Sequence, residues 1–159
     1  MEPISREDAD RMYMDLALKE MIASSCKRRQ VGVIIHTYGG FLGWGHNDTI
    51  LPSQDCCLRK KYVEGKRLDL CPSIHAEVAA IINLATAGVS TEMGTLYTTS
   101  CIPCKICMQA IVLAGIKRIV VAEDKDYAGD TSARRLAEIY NIQIDVLDMK
   151  EDSDGYATD

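Results

Sequence analysis

Apolar and polar positions along the chain mark out a series of short elements. From Arg6 to about Cys26, Met12, Leu16, Met21 and Ile22 sit among helix formers, with Ala9, Ala17 and Ala23 between them, which predicts a helix. Val31-Gly32-Val33-Ile34-Ile35 is a short, mostly β-branched run. Tyr38-Gly39-Gly40 reads as a turn, and Phe41-Leu42-Gly43-Trp44 as the returning strand of an antiparallel hairpin. Residues 46–74 are polar and charged with little periodicity. A stretch of that length in a compact domain is usually functional or tied down internally.

The second half is more regular. His75 to Ala87 reads as an apolar helix closed by Gly88, and Cys104 to Ala114 as a second helix closed by Gly115. Thr95–Thr98, Lys117–Ala122 and Gln143–Leu147 read as strands, and residues 132–140 as a further helix. The order strand, helix, strand, helix, strand implies parallel pairing with helices packed on the sheet. The expectation is an α/β fold of three layers, α/β/α, built on a five-stranded mixed sheet with helices on both faces. Residues 1–148 would form a single domain with a cysteine-containing insertion at 46–74. Residues 149–159 would be an acidic, mobile tail.

Composition narrows the function classes. The chain has 159 residues, 47% of them apolar, which suits one domain with a full core. Its net charge of −5 argues against a general grip on a nucleic-acid polymer, yet leaves room for a small anion in a local basic pocket. No apolar run is long enough for a membrane span, and the N-terminus has no apolar signal core, so the expected location is cytoplasmic. Seven cysteines in such a chain point to metal or reactive thiols before disulfides.

The chemistry concentrates in His75-Ala76-Glu77 and Pro103-Cys104-Lys105-Ile106-Cys107. One imidazole and two thiolates can hold zinc with the fourth position left for water. Both motifs fall at predicted helix N-termini, which favour thiolate over thiol. A structural zinc site would lack a fourth protein ligand here unless Glu77 served. A base beside an open position makes better chemical sense, with Glu77 moving protons to and from water and substrate. Cys101-x-x-Cys104 is an alternative ligand pair. Pro103 and the helix register favour Cys104 and Cys107.

H-x-E followed by P-C-x-x-C is the pattern of zinc-dependent nucleobase deaminases. Over about residues 10–147 the chain resembles the cytidine deaminase superfamily, and within it the deoxycytidylate (dCMP) deaminase branch. Cys26-Lys27-Arg28-Arg29-Gln30-Val31-Gly32, Gly45-His46-Asn47, Gly94-Thr95-Leu96-Tyr97-Thr98-Thr99 and Ala114-Gly115-Ile116-Lys117-Arg118 carry that resemblance beyond the zinc motifs. It implies a cytidine deaminase-like fold, a small nucleotide substrate, conversion of dCMP to dUMP and ammonia, a homo-oligomer, and substrate contacts from Asn47 and Ala76. It also implies a second, structural zinc on Cys26, Cys56 and Cys71, completed by Cys57 or His46. The competing reading makes these buried thiols. Asp48 replaces the branch's usual glycine and would oppose a phosphate if it pointed inward.

The basic runs Lys27-Arg28-Arg29, Arg59-Lys60-Lys61 and Lys66-Arg67 read either as solvated surface or as a phosphate pocket, with Arg28 and Arg29 the favoured contacts. Trp44 and Tyr127 are candidate walls for a base. Rival readings are a deaminase of a nucleoside, a free base or a modified-cytosine nucleotide, and an inactive zinc-stabilised interaction protein. A free base at Glu77 weighs against the last.

Overall fold

The computed structural model describes residues 3–49, 57, 59, 61–63 and 65–149. Helix α1 (Arg6–Met21) is followed by β1 (Gly32–His36), β2 (Leu42–His46) and the two-residue β3 (Asp48–Thr49). A short 3-10 turn (Leu68–Leu70) leads to β4 (Ser73–Ile74) and α2 (Ala76–Thr86). Then come β5 (Thr95–Thr98), α3 (Lys105–Leu113), β6 (Arg118–Val121), the 3-10 turn Tyr127–Gly129, α4 (Ser132–Ile139) and β7 (Gln143–Val146).

Five strands form one mixed sheet in the order β2-β1-β5-β6-β7. β1 pairs antiparallel with β2 and with β5, while β5-β6 and β6-β7 are parallel. The period of two decides which side chain goes where. Val33, Ile35, Leu96, Ile119 and Val121 face the layer that holds α2, α3 and α4. Ile34, Tyr97 and Val120 face Met14 and Ala17 of α1. The three-layer, five-stranded expectation therefore holds, and the parallel half arises from the strand-helix alternation.

Two boundaries differ from the sequence reading. α1 stops at Met21 instead of running to Cys26, because Ser24 turns out of the helix: its hydroxyl donates to the Asn47 carbonyl at 2.6 Å and to Asn47 Oδ1 at 2.7 Å. At the other end, Leu147 and Met149 pack against the α1 core, so the packed body extends to the start of the acidic tail. Residues 150–159 lie outside the described residues.

Close approach of β2 to α2 fixes the second layer. A Cβ at Gly45 would sit 2.5 Å from the Ala76 carbonyl oxygen and closer still to the Ala80 nitrogen. A Cβ at Gly43 would meet Leu84 at 2.5 Å. Only glycine permits this contact, and it sets the position of the α2 N-terminus. Across the sheet, Arg118 joins Asp10 of α1 to Asp145 of β7, with 2.6–2.7 Å contacts to both carboxylates, and the Tyr97 hydroxyl donates to Asp10 at 2.9 Å. No helix among the described residues is long and apolar enough to cross a membrane.

Candidate active site

The N-terminus of α2 lies against Gly45 at the carboxyl end of β2, and that of α3 follows the carboxyl end of β5, so both open at one edge of the sheet. This is the edge where ligands bind in sheets of this kind. His75 is the N-cap of α2 and Glu77 lies in its first turn; Cys104 is the N-cap of α3 and Cys107 lies in its first turn. The backbone at both caps is extended, so His75 and Cys104 project from the helix ends. The first intrahelical bonds, from Ala79 N–H to the His75 carbonyl and from Met108 N–H to the Cys104 carbonyl, fix both residues.

One ligating atom each from His75, Cys104 and Cys107 lies within 4.8 Å of the others. His75 Nδ1 is 3.2 Å from Cys107 Sγ and 3.5 Å from Cys104 Sγ. Ligands at ~2.05 Å (nitrogen) and ~2.3 Å (sulfur), subtending a tetrahedral angle at zinc, stand ~3.6 Å apart. The observed spacings come close to that, so the donor set fits zinc in both geometry and chemistry. Cys101 is buried but lies outside the cluster, its sulfur accepting from the Ser100 hydroxyl at 3.7 Å. The structure thus gathers the pair preferred from the sequence and leaves the alternative out.

The electrostatics suit a cation. A hydrogen bond from Cys107, helped by His75, holds the Cys104 thiol far down, at about 4. The same pairing with Cys104, reinforced by burial, pushes the Cys107 thiol up. His75 is raised to about 9, chiefly by its bond to Cys104. Glu77 is only 6% exposed, and burial raises its carboxyl above the usual range. Its Oε2 accepts from Cys107 Sγ at 3.5 Å, so the carboxylate stands at the rim of the ligand cluster.

These groups open into a pocket lined also by Arg28, Arg29, Asn47, Arg59, Cys71 and Tyr127, with Ala76 at the first turn of α2. The Tyr127 ring lies 6.3 Å from the His75 ring, so Tyr127 is the wall anticipated for it. Trp44 is not: it stands 56% exposed on β2, away from the pocket. Asn47 is largely committed to its own loop. Its Oδ1 accepts from Val31 N–H and Ser24 Oγ, both at 2.7 Å, and its Nδ2 donates to the Arg29 carbonyl at 2.7 Å. The Asp48 carboxylate is engaged by Ser25 Oγ and by Thr49 N–H and does not line the pocket.

The basic residues are arranged differently from the expectation. Arg28 Nη1 donates to the Arg59 carbonyl at 2.8 Å, and Arg29 pairs with Glu123 at 2.9 Å. Arg59 is buried, at 7% exposure, while Lys61 of the same basic run is exposed. A charge run carries no signal that would have picked it out.

Cys26 and Cys71 line the same pocket, but among the described residues no third ligand gathers with them. His46, offered as one completing ligand, instead holds Glu20 at 2.6 Å. Cys56 lies outside the described residues, and Cys57 is half-buried and free.

A mixed sheet with paired helix N-termini presenting one histidine, two cysteines and a buried glutamate defines the cytidine deaminase class of fold and site. Residues 7–123 match the model of the cytidine and deoxycytidylate deaminase zinc-binding region, and the chain belongs to that family. It is 30% identical over 127 residues to deoxycytidylate deaminase of Saccharomyces cerevisiae, covering 77% of this chain and 40% of that protein. It is 31% identical over 133 residues to ComE operon protein 2 of Bacillus subtilis, covering 82% and 66%. The chain therefore spans less than two thirds of either relative. Among solved structures, dCMP deaminase of the cyanophage S-TIM5, in complex with dCMP and dUMP, superposes with a TM-score of 0.71 at 23% identity, over 92% of this chain and 99% of that one. That likeness bears on the fold.

Proposed function

We propose that the chain deaminates dCMP hydrolytically: water adds an oxygen to the amine-bearing ring carbon, and dUMP and ammonia leave. The observation that carries this reading is the His75, Cys104 and Cys107 cluster at zinc-ligand spacing with the buried Glu77 at its edge. Family membership and relatives named deoxycytidylate deaminase support it.

His75, Cys104 and Cys107 would hold the metal. When bound, zinc supplies a Lewis acid that makes water nucleophilic near neutral pH. Glu77 accepts a proton from the attacking water and passes it to the ring nitrogen. It then takes the remaining proton of the newly added hydroxyl and carries it to the amino group, which departs as ammonia while the ring carbonyl forms, so one carboxylate acts as base and acid in turn. Burial suits the task, because it brings the carboxyl closer to neutrality than an exposed glutamate. The first turn of α2, including Ala76, supplies backbone N–H groups on the pocket wall, and Tyr127 limits the space for the base. Asn47 acts chiefly by holding the 24–31 loop in place, leaving one amide N–H for the sugar.

Specificity for a monophosphate over a nucleoside follows from arginines on the pocket wall, and Asp48, turned to Ser25, does not oppose it. A second zinc on Cys26, Cys56 and Cys71, and self-association of the chain, extend the same reading. Ammonia release from dCMP, deoxycytidine, cytosine, a 5-modified dCMP and an adenine nucleotide tests it. The zinc-loaded protein should turn over dCMP best. Equal kcat/KM for dCMP and deoxycytidine would remove the nucleotide assignment, and no ammonia from any of them would remove the enzyme.

A further inference from the structure

Several arginines of this protein pair with carboxylates. Arg29 pairs with Glu123, Arg67 with Asp69, Arg118 with Asp10 and Asp145, and Arg134 with Asp124 and Asp126. Arg59 Nε instead donates to the Lys66 carbonyl at 2.9 Å, and the residue lines the pocket together with Cys71. Among the described residues no carboxylate pairs with it, although it is 7% exposed and lines the pocket with His75, Glu77 and Cys104. A guanidinium taken out of water without an anion is costly, so a buried one at the wall of a pocket marks the seat of an anionic ligand. Its planar fork of donors matches phosphate oxygens.

The surroundings hold Arg59 still. Its own carbonyl accepts from Arg28, and the loop beyond it packs against the Tyr127–Gly129 turn so tightly that a Cβ at Gly65 would overlap Ala128. Two segments far apart in sequence thus brace one cation beside the proposed catalytic centre. We propose that Arg59 is the specificity-determining residue that takes the phosphate monoester of the substrate, with Arg28 positioning it and Arg29 occupied by Glu123. This rests on the nucleotide reading above, and it moves the phosphate contact from the Arg28-Arg29 pair to the insertion.

The test compares wild type, Arg59→Gln, Arg59→Lys and the exposed-site control Lys61→Ala, each at matched zinc content. Two quantities are read: the ratio of kcat/KM for dCMP to that for deoxycytidine, and inhibition of deoxycytidine turnover by inorganic phosphate. Arg59→Gln should lower the ratio about 10- to 100-fold, mainly through KM, and weaken phosphate inhibition to a similar degree. Arg59→Lys, which keeps the charge but not the fork, should fall between, and Lys61→Ala should match wild type. Glutamine can still donate to the Lys66 carbonyl, so a residue that only held its loop would leave both quantities unchanged, and that result would overturn the proposal. Should Arg59→Gln fail to fold, a wild-type ratio in Arg59→Lys would do the same. If wild type does not prefer dCMP, the substrate reading fails first. Phosphate inhibition that disappears in Arg59→Gln would then still establish the anion seat.

Discussion

Replacing Glu77 by glutamine isolates the proton-transfer step from the metal site. The side chain is 6% exposed, its Oε2 accepts from Cys107 Sγ at 3.5 Å, and it touches the ligand cluster without being one of the three spaced ligands. Glutamine fills the same volume and keeps a polar amide beside Cys107, so packing around the first turn of α2 should survive. What is lost is a group that can take up and release a proton. General acid–base help contributes ~10²- to 10⁴-fold in rate. Glu77 serves at least two transfers, so the loss should reach the upper part of that range, ~10³-fold or more, equivalent to ~4 kcal/mol or more on the barrier. The assay is kcat for dCMP by absorbance alongside zinc content by a chelating dye. The expected variant is zinc-replete, folded and nearly inactive, with a KM within a few-fold of wild type. Near-normal turnover in zinc-replete protein would refute the role of Glu77. Loss of zinc from the variant would make it a fourth ligand and refute the open coordination position.

Other perturbations probe the frame. Gly45→Ala forces a methyl group toward the α2 backbone, where a Cβ stands 2.5 Å from the Ala76 carbonyl oxygen; it should cost about 1–3 kcal/mol in denaturant melts and lower kcat by displacing His75 and Glu77, and wild-type stability would contradict the contact. Asp10→Asn should cost about 3 kcal/mol at neutral pH, because Arg118 loses a bidentate partner whose side chain is only 11% exposed. Burial would raise the Asp10 carboxyl, but the Arg118 and Tyr97 hydrogen bonds outweigh it and hold the group below its ordinary 3.8. Its stabilisation is therefore present above pH 3.8 and fades as pH falls through the lower folded value, so the gap between wild type and Asp10→Asn should narrow in acid; a gap independent of pH would contradict this. Metal analysis should give about two zinc ions per chain if Cys26, Cys56 and Cys71 hold one, with Cys71→Ser removing it; one ion, unaffected by Cys71→Ser, returns these residues to plain thiols.

Local pattern carried the fold a long way. Alternation in Val33-Ile34-Ile35 and the β-branched run Ile119–Val121 place side chains on the two sheet faces, and the capping positions of His75 and Cys104 follow from motif and helix start together. What stayed hidden is non-local. Arg28, Arg29 and Arg59 look alike in sequence, and only tertiary packing decides that one is tied to Glu123, one to a carbonyl, and one is buried with no carboxylate partner among the described residues. Asn47 could be placed at the pocket from the resemblance, but its bonds to Val31, Ser24 and Arg29 depend on how β2 and the 24–31 loop meet. The exposure of Trp44 follows from Gly43 and Gly45 taking the inward positions of β2, which the sequence hinted at by placing glycines there.

In the proposed reaction this pocket exchanges an amino group for an oxygen drawn from water. Zinc-loaded protein incubated with dCMP in ¹⁸O-labelled water tests it most directly, with the product read by mass spectrometry. The expected product is dUMP carrying one heavy oxygen in the base, with one ammonia per dUMP, and both should be lost in Glu77→Gln. Unchanged dCMP, or dUMP without the label, would contradict that reaction.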